Sequence, residues 1–137
     1  MDKNDFRNYR PLLLEVQQLK EQLQTLEASI YSPRGQRFTT TPTAPTRDRP
    51  TMDGPVARHI RLVELYEEEL AEKEAKQFAI EQAIQGLEDT AERVVMRERY
   101  IAGRGWSAVI GKMQKLGYSE RQVYRLHGSA LWKLKEV

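Results

Sequence analysis

The sequence predicts an all-α protein: N-terminal coiled-coil-type helices followed by a C-terminal helix-turn-helix domain. Three observations point to this. Leu12, Val16, Leu19, Leu23, Leu26 and Ile30 alternate spacings of four and three, a heptad seam. Val63, Tyr66, Leu70, Ile80, Ile84 and Leu87 lie on a second heptad frame. The stretch from Trp106 to Leu134 reads as a helix, a turn carrying Gly117, and a second helix opening at Ser119.

Composition agrees with this class. A chain of 137 residues allows one domain plus an extension. With 39% hydrophobic and 31% charged residues, it suits solvated helices better than one large core. The chain has no Cys, which excludes disulfides and thiolate metal sites. No apolar run approaches a membrane span and the N-terminus lacks a signal-peptide core, so the expected location is the cytoplasm. Net charge is only +2, but it is segregated. From Ala91 onward ten Lys/Arg face four Asp/Glu, while the first ninety residues hold twelve against sixteen. Such asymmetry is expected of a nucleic-acid-binding end joined to a segment with another job.

The elements follow in order. Residues 1–31 form the N-terminal heptad helix, with Pro11 in its first turn, where a missing N–H costs little. Its narrow stripe calls for another helix rather than a broad core. Residues 32–54 are a Pro/Thr-rich linker; Pro33, Pro42, Pro45 and Pro50 break every period. Arg34, Arg37, Arg47 and Arg49 make it basic, either an arm touching phosphate or a solvated linker. Residues 55–88 form an acidic helix, with Lys73 and Gln77 as polar interruptions of its seam. Two such seams predict an antiparallel hairpin or association between chains.

Residues 89–137 are read as three helices. Asp89 and Glu92 have capping-box spacing, and a helix through Val95, Met96, Arg99, Tyr100 and Ile101 ends at Gly103 and Gly105. Trp106 and Ser107 open the next, with Ile110, Met113 and Leu116 facing inward. Some fifty residues is near the lower limit for independent folding, so support from the preceding helix is expected.

Ser119-Glu120-Arg121-Gln122 is a second capping box, and it fixes where the last helix begins. From that start Val123, Leu126, Ala130 and Leu134 cluster on one side, with His127 at the margin. Arg121, Arg125, Gly128 and Trp132 point away, flanked by Gln122 and Tyr124. The N-terminal residues of a second helix in this motif reach base edges, where Arg suits guanine and Gln suits adenine. The expected DNA-binding residues are therefore Ser119, Arg121, Gln122, Tyr124 and Arg125, with Lys112 and Lys115 on the backbone from the first helix.

Other chemistry finds no support. His59 and His127 have no partner at metal-ligand spacing, and His127 reads as packed or phosphate-touching. The acids of residues 64–74 are a solvated face. There is no phosphate-binding glycine loop and no nucleophile elbow, so no enzyme, metal or cofactor is expected. Trp106 reads as core. Trp132 either contacts a partner or packs on an upstream helix.

The run Ser119, Val123, Leu126, Ala130-Leu131 resembles the second helix of the helix-turn-helix in region 4 of primary-type sigma factors, and Ile110-Gly111 resembles the apolar–small pair of its first helix. Between Gly111 and Gly117 the chain is longer than the sigma pattern, which lengthens the first helix or the turn. "RERYIAGRGWSAVIG" (97–111) and "YSERQVYRLHGSAL" (118–131), with the N-terminal helical extension, are similar to phage late-gene transcription activators of the RinA and ArpU type. That resemblance implies sequence-specific binding of double-stranded DNA, activation of phage genes, RNA polymerase as a partner, and location with the nucleoid in a bacterial host's cytoplasm. The upstream helices would then make a homo-oligomer or contact the transcription machinery. The alternatives are a small terminase-like DNA-packaging subunit and a coiled-coil adaptor that binds protein.

Overall fold

The computed structural model describes residues 1–31 and 54–137. The expected linker, apart from Gly54, and its four arginines lie outside the described residues. Among the described residues the chain is all-helical: α1 (Lys3–Arg7), α2 (Tyr9–Tyr31), α3 (Pro55–Gln85), α4 (Thr90–Met96), a π-helical turn (Arg97–Ile101), α5 (Trp106–Lys115) and α6 (Glu120–Leu134). None of these helices is long and apolar enough to cross a membrane.

Two compact units divide the chain. The smaller in sequence span covers 15–74. In it the α2 seam positions Val16, Leu19 and Leu23 are buried, as is Val63 on α3. Lys73, one of the two polar interruptions, reaches the Glu15 carboxylate at 3.2 Å and Glu69 at 3.9 Å. Lys20 and Glu74 pair at 3.4 Å. In each pair the carboxylate is exposed to water, so each is worth about 1 kcal/mol or less.

The other unit joins Met1–Leu14 to Ala75–Val137. It holds the C-terminal helices, the end of α3, and the first residues of the chain. Phe6 and Tyr9 are buried with Ile80, Ile84, Leu87, Met96, Tyr100, Ala130 and Leu134 in one cluster. Phe6 lies on α1, which is too short to show a period, whereas Tyr9 opens α2 three residues before Leu12 and extends its heptad seam by one position. The Tyr9 hydroxyl also donates to the Glu81 carboxylate, and burial beside that anion pushes its pKa up to about 12. A second cluster holds Val95, Val109, Met113 and Val123, flanked by Ile110, Trp106, Tyr118 and Leu126.

Between α4 and the glycines the helix widens by one residue into a π turn. Ala102 N–H donates to the Arg97 carbonyl at 2.8 Å, the five-residue step that defines it. This turn lies where Tyr100 points inward to Phe6, with ring centroids 5.7 Å apart. Gly103 follows at φ +73, where any side chain would be strained and would also meet Arg10 Nε at 2.8 Å. Arg10 fills that space and donates to the Ile101 carbonyl at 3.0 Å.

One expected cap takes another form. Asp89 caps α4 by accepting from Ala91 N–H at 2.9 Å, but Glu92 does not reach back to it. Glu92 is 2% exposed and instead accepts from Ser129 Oγ at 2.8 Å and Lys133 Nζ at 2.9 Å on α6. A buried carboxylate must be paired, and two donors on a neighbouring helix outcompete one local amide. The bond also holds the Lys133 pKa above its usual range.

Phe6 is fully enclosed and contributes to the cluster that carries α6. Phe6→Ala is expected to cost about 3–5 kcal/mol of stability. Urea unfolding followed by far-UV circular dichroism checks this; a loss under about 1 kcal/mol would mean that the first residues are not integral to the unit.

Candidate nucleic-acid interface

The candidate interface is built from α5, α6 and the turn between them. Val109 and Met113 are 0% and 1% exposed, and they anchor α5. The helix runs to Lys115, so the stretch between Gly111 and Gly117 is mostly taken up by helix. Gly117 stands at φ +96, in the left-handed region. Its N–H donates to the Gln114 carbonyl at 3.0 Å, and Tyr118 N–H donates to the Met113 carbonyl at 3.1 Å. This is a Schellman ending, closed by an apolar residue after the glycine. It turns Leu116 outward, 68% exposed, where the periodic pattern placed it inside. Val109 takes the inward place instead.

Ser119 then caps α6. Gln122 N–H donates to Ser119 Oγ at 3.2 Å, and Ser119 N–H donates to Gln122 Oε1 at 2.8 Å. Both bonds of the box are present, so the expected helix start holds. Fifteen residues make α6 about 22 Å long. Its inner face is Val123, His127, Ala130 and Leu134, all buried. His127 lies within that face rather than at its margin.

His127 is held among aromatic rings. Its Nε2 shares a hydrogen bond of 2.6 Å with the Tyr100 hydroxyl, and its ring stands nearly perpendicular to that of Trp106, with centroids 4.7 Å apart. Burial pushes its pKa down to about 4, and the positive charges of Lys3 and Arg99 act in the same direction. Burial likewise raises the Tyr100 pKa. His127 is thus a neutral packed residue and not a phosphate contact. Trp106, expected in the core, is only half-buried. It touches the Tyr124 ring at 5.1 Å, and the Arg99 guanidinium lies over it at 4.9 Å.

The structure sorts the expected contact residues. Arg121 and Arg125 are exposed on one face of α6, with no hydrogen bond or ion pair among the described residues. Gln122 is exposed beside them, but its amide oxygen is committed to the cap. The paired donor and acceptor that adenine requires are therefore not both presented. Tyr124 is 44% exposed and leans on Trp106. Lys115 is exposed near the end of α5, whereas Lys112 is held by the Glu98 carboxylate at 2.9 Å. Glu98 also pairs with Arg104 Nε at 3.2 Å, without a well-aligned hydrogen bond to that oxygen. Exposed Trp132, at 76%, stands on the same face as the two arginines and does not pack on an upstream helix.

Several other cations of this half are engaged internally. Arg93 donates to the Leu87 and Glu88 carbonyls, Arg97 to Gln85 at 3.2 Å, and Arg99 to the Arg104 carbonyl at 3.0 Å. Among the described residues no group of His, Asp and Glu is arranged to hold a metal ion.

Because His127 is neutral when folded and titrates near pH 6.5 when unfolded, its contribution is complete above pH 6.5 and declines as pH falls toward 4. The loss amounts to at most about 3 kcal/mol. Urea midpoints measured between pH 7.5 and pH 5 should fall for the wild type and fall less for His127→Gln; equal slopes would show that His127 is not the group responsible.

Comparison of the chain with protein-family models, with curated proteins and with solved structures found no match.

Proposed function

We propose that α5, its turn and α6 form a helix-turn-helix that binds double-stranded DNA in a sequence-specific manner. The protein is then a phage-type transcription regulator, an activator of late genes as the resemblance of 97–111 and 118–131 implies, with RNA polymerase as a partner. The observation that carries this reading is the state of Arg121 and Arg125. Many cations of the C-terminal half are spent on internal partners, while these two stay exposed on the first two turns of a capped helix. The helix N-terminal turns are where this motif reads bases, and Arg can bond guanine with two donors. Tyr124, steadied by Trp106, adds a base-edge or phosphate contact beside them.

The assignment of backbone contacts changes with the geometry. Lys115 is available to phosphate, whereas Lys112 would first have to leave Glu98. Ser119 and Gln122 act mainly by fixing the helix start, since a shift of one residue would rotate the presented face by about 100°.

Self-association through the N-terminal helices is part of the same proposal. Val16, Leu19 and Leu23 are already buried within the chain, so the side chains offered to a second copy are Val56, Ile60 and Leu65 on α3, which stay exposed in the unit of residues 15–74. Light scattering across a concentration series is expected to give a dimer or larger; a monomer throughout would remove this part of the proposal and leave the DNA-binding part intact.

The test of DNA binding is selection from a random duplex pool by the full chain, followed by titration of the enriched site. Arg121→Ala and Arg125→Ala are each expected to weaken binding by about 1–3 kcal/mol and to relax base preference. Lys115→Ala should weaken all sequences evenly and flatten the salt dependence, and Lys112→Ala should do less. Arginine variants that keep wild-type preference would place the reading face elsewhere. No duplex binding at low salt would overturn the function.

A further inference from the structure

The outer face of α6 does not end at Arg125. Arg121, Arg125, Gly128 and Trp132 follow one another at spacings of four, three and four, so they form one stripe. Gly128 is unusual within it. It sits in the interior of a 15-residue helix, where glycine is the poorest residue short of proline. Internal packing gives no reason for it, because a Cβ at this position would meet nothing within 4 Å. Its φ is helical, so backbone conformation gives no reason either. Four residues on, Trp132 is 76% exposed and makes no ring contact with any described residue. A bare strip of helix backbone and an uncovered indole thus lie directly in line with two exposed guanidinium groups.

Building on the DNA-binding reading above, we propose that this stripe is one continuous contact with a duplex, in which Gly128 admits the sugar-phosphate wall of the groove against the helix and Trp132 packs on it. Charge selects the occupant: two exposed arginines at one end of the stripe call for an anion that extends along the rest. Length agrees. From the midpoint of Arg121 and Arg125 to Trp132 is about 13 Å along the axis, and the major groove is about 8.5 Å deep, so the helix is long enough to run from its floor past its rim. With the arginines at the floor of the groove, the last turn of α6 reaches its edge, where deoxyribose and phosphate lie. The indole ring covers the apolar face of the sugar, and its N–H, a donor without an acceptor, bonds a phosphate oxygen. A methyl group at position 128 would hold that wall off by its own thickness. Such contacts position the protein without reading sequence, so Gly128 and Trp132 set affinity and register rather than base preference.

Gly128→Ala separates this from a merely tolerated glycine, because its two effects have opposite sign. The full-length variant should melt about 4 °C higher, as alanine favours the helix and its Cβ is unopposed. It should also bind a mixed-sequence duplex about tenfold more weakly in fluorescence anisotropy, the scale of one lost charged hydrogen bond with its packing. Trp132→Ala should lose about tenfold on all duplex sequences with no drop in melting temperature, and Trp132→Phe should recover part of it. Arg121→Ala serves as the control for the reading itself. If Arg121→Ala loses binding while Gly128→Ala and Trp132→Ala bind as wild type, the interface stops at Arg125 and this inference is wrong while the DNA-binding reading stands. If the wild type binds no duplex, both are wrong. A Gly128→Ala variant that melts lower than wild type would also count against it, since the glycine would then serve the fold.

Discussion

The C-terminal half depends on how Tyr100 is buried. Its ring faces Phe6 from the start of the chain and His127 from the last helix, and its hydroxyl shares a hydrogen bond with His127 Nε2. A polar group taken out of water must find a partner, and here each of two buried polar groups is the other's partner. The pair fixes α6 in rotation: with His127 turned inward, Arg121 and Arg125 have nowhere to point but out. The π turn lies where Tyr100 turns inward, and Trp106 packs against His127 while supporting Tyr124. Thus a buried residue of another element decides which side chains of α6 face outward.

Local signals were legible in the sequence and distant ones were not. Helical class, the α2 seam at Val16, Leu19 and Leu23, and the start of α6 all follow from spacing and caps within a few residues. Ser119 and Gln122 form both bonds of their box because the two partners are three residues apart and no other group competes. Asp89 and Glu92 have the same spacing, yet Glu92 turns to Ser129 and Lys133, more than thirty-five residues away. Only the folded chain shows that competition. The same holds for the partners of Phe6 and Tyr9, Tyr100 and Glu81, which lie more than seventy residues away, and for Leu116, which periodicity places inside and the Gly117 turn places outside. A π turn has no sequence signature of its own.

Charge illustrates the difference between composition and site. The C-terminal surplus of positive residues suggested a broadly basic surface, but the structure spends many of them on its own carbonyls and carboxylates. Glu98 alone takes Lys112 and Arg104, and Glu92 takes Lys133. Bonds to carbonyls leave the charge in place, so the surplus of ten Lys/Arg over four Asp/Glu from Ala91 onward persists; what distinguishes α6 is that its first turns keep their guanidinium donors unspent. Gln122 shows the reverse, a polar side chain on the right face whose acceptor is already used.

The place of Phe6 in the core has a consequence for how this protein comes to be folded. Its cluster includes Ala130 and Leu134, so the core it belongs to spans nearly the whole chain. Helical proteins usually fold fast because their contacts are local; this one must close a loop of more than a hundred residues before α6 gains its full support. During synthesis the first aromatic residues emerge long before anything exists to cover them. Until the end of α3 and Tyr100 have left the ribosome, Phe6 and Tyr9 are bare apolar surface, the kind that chaperones bind.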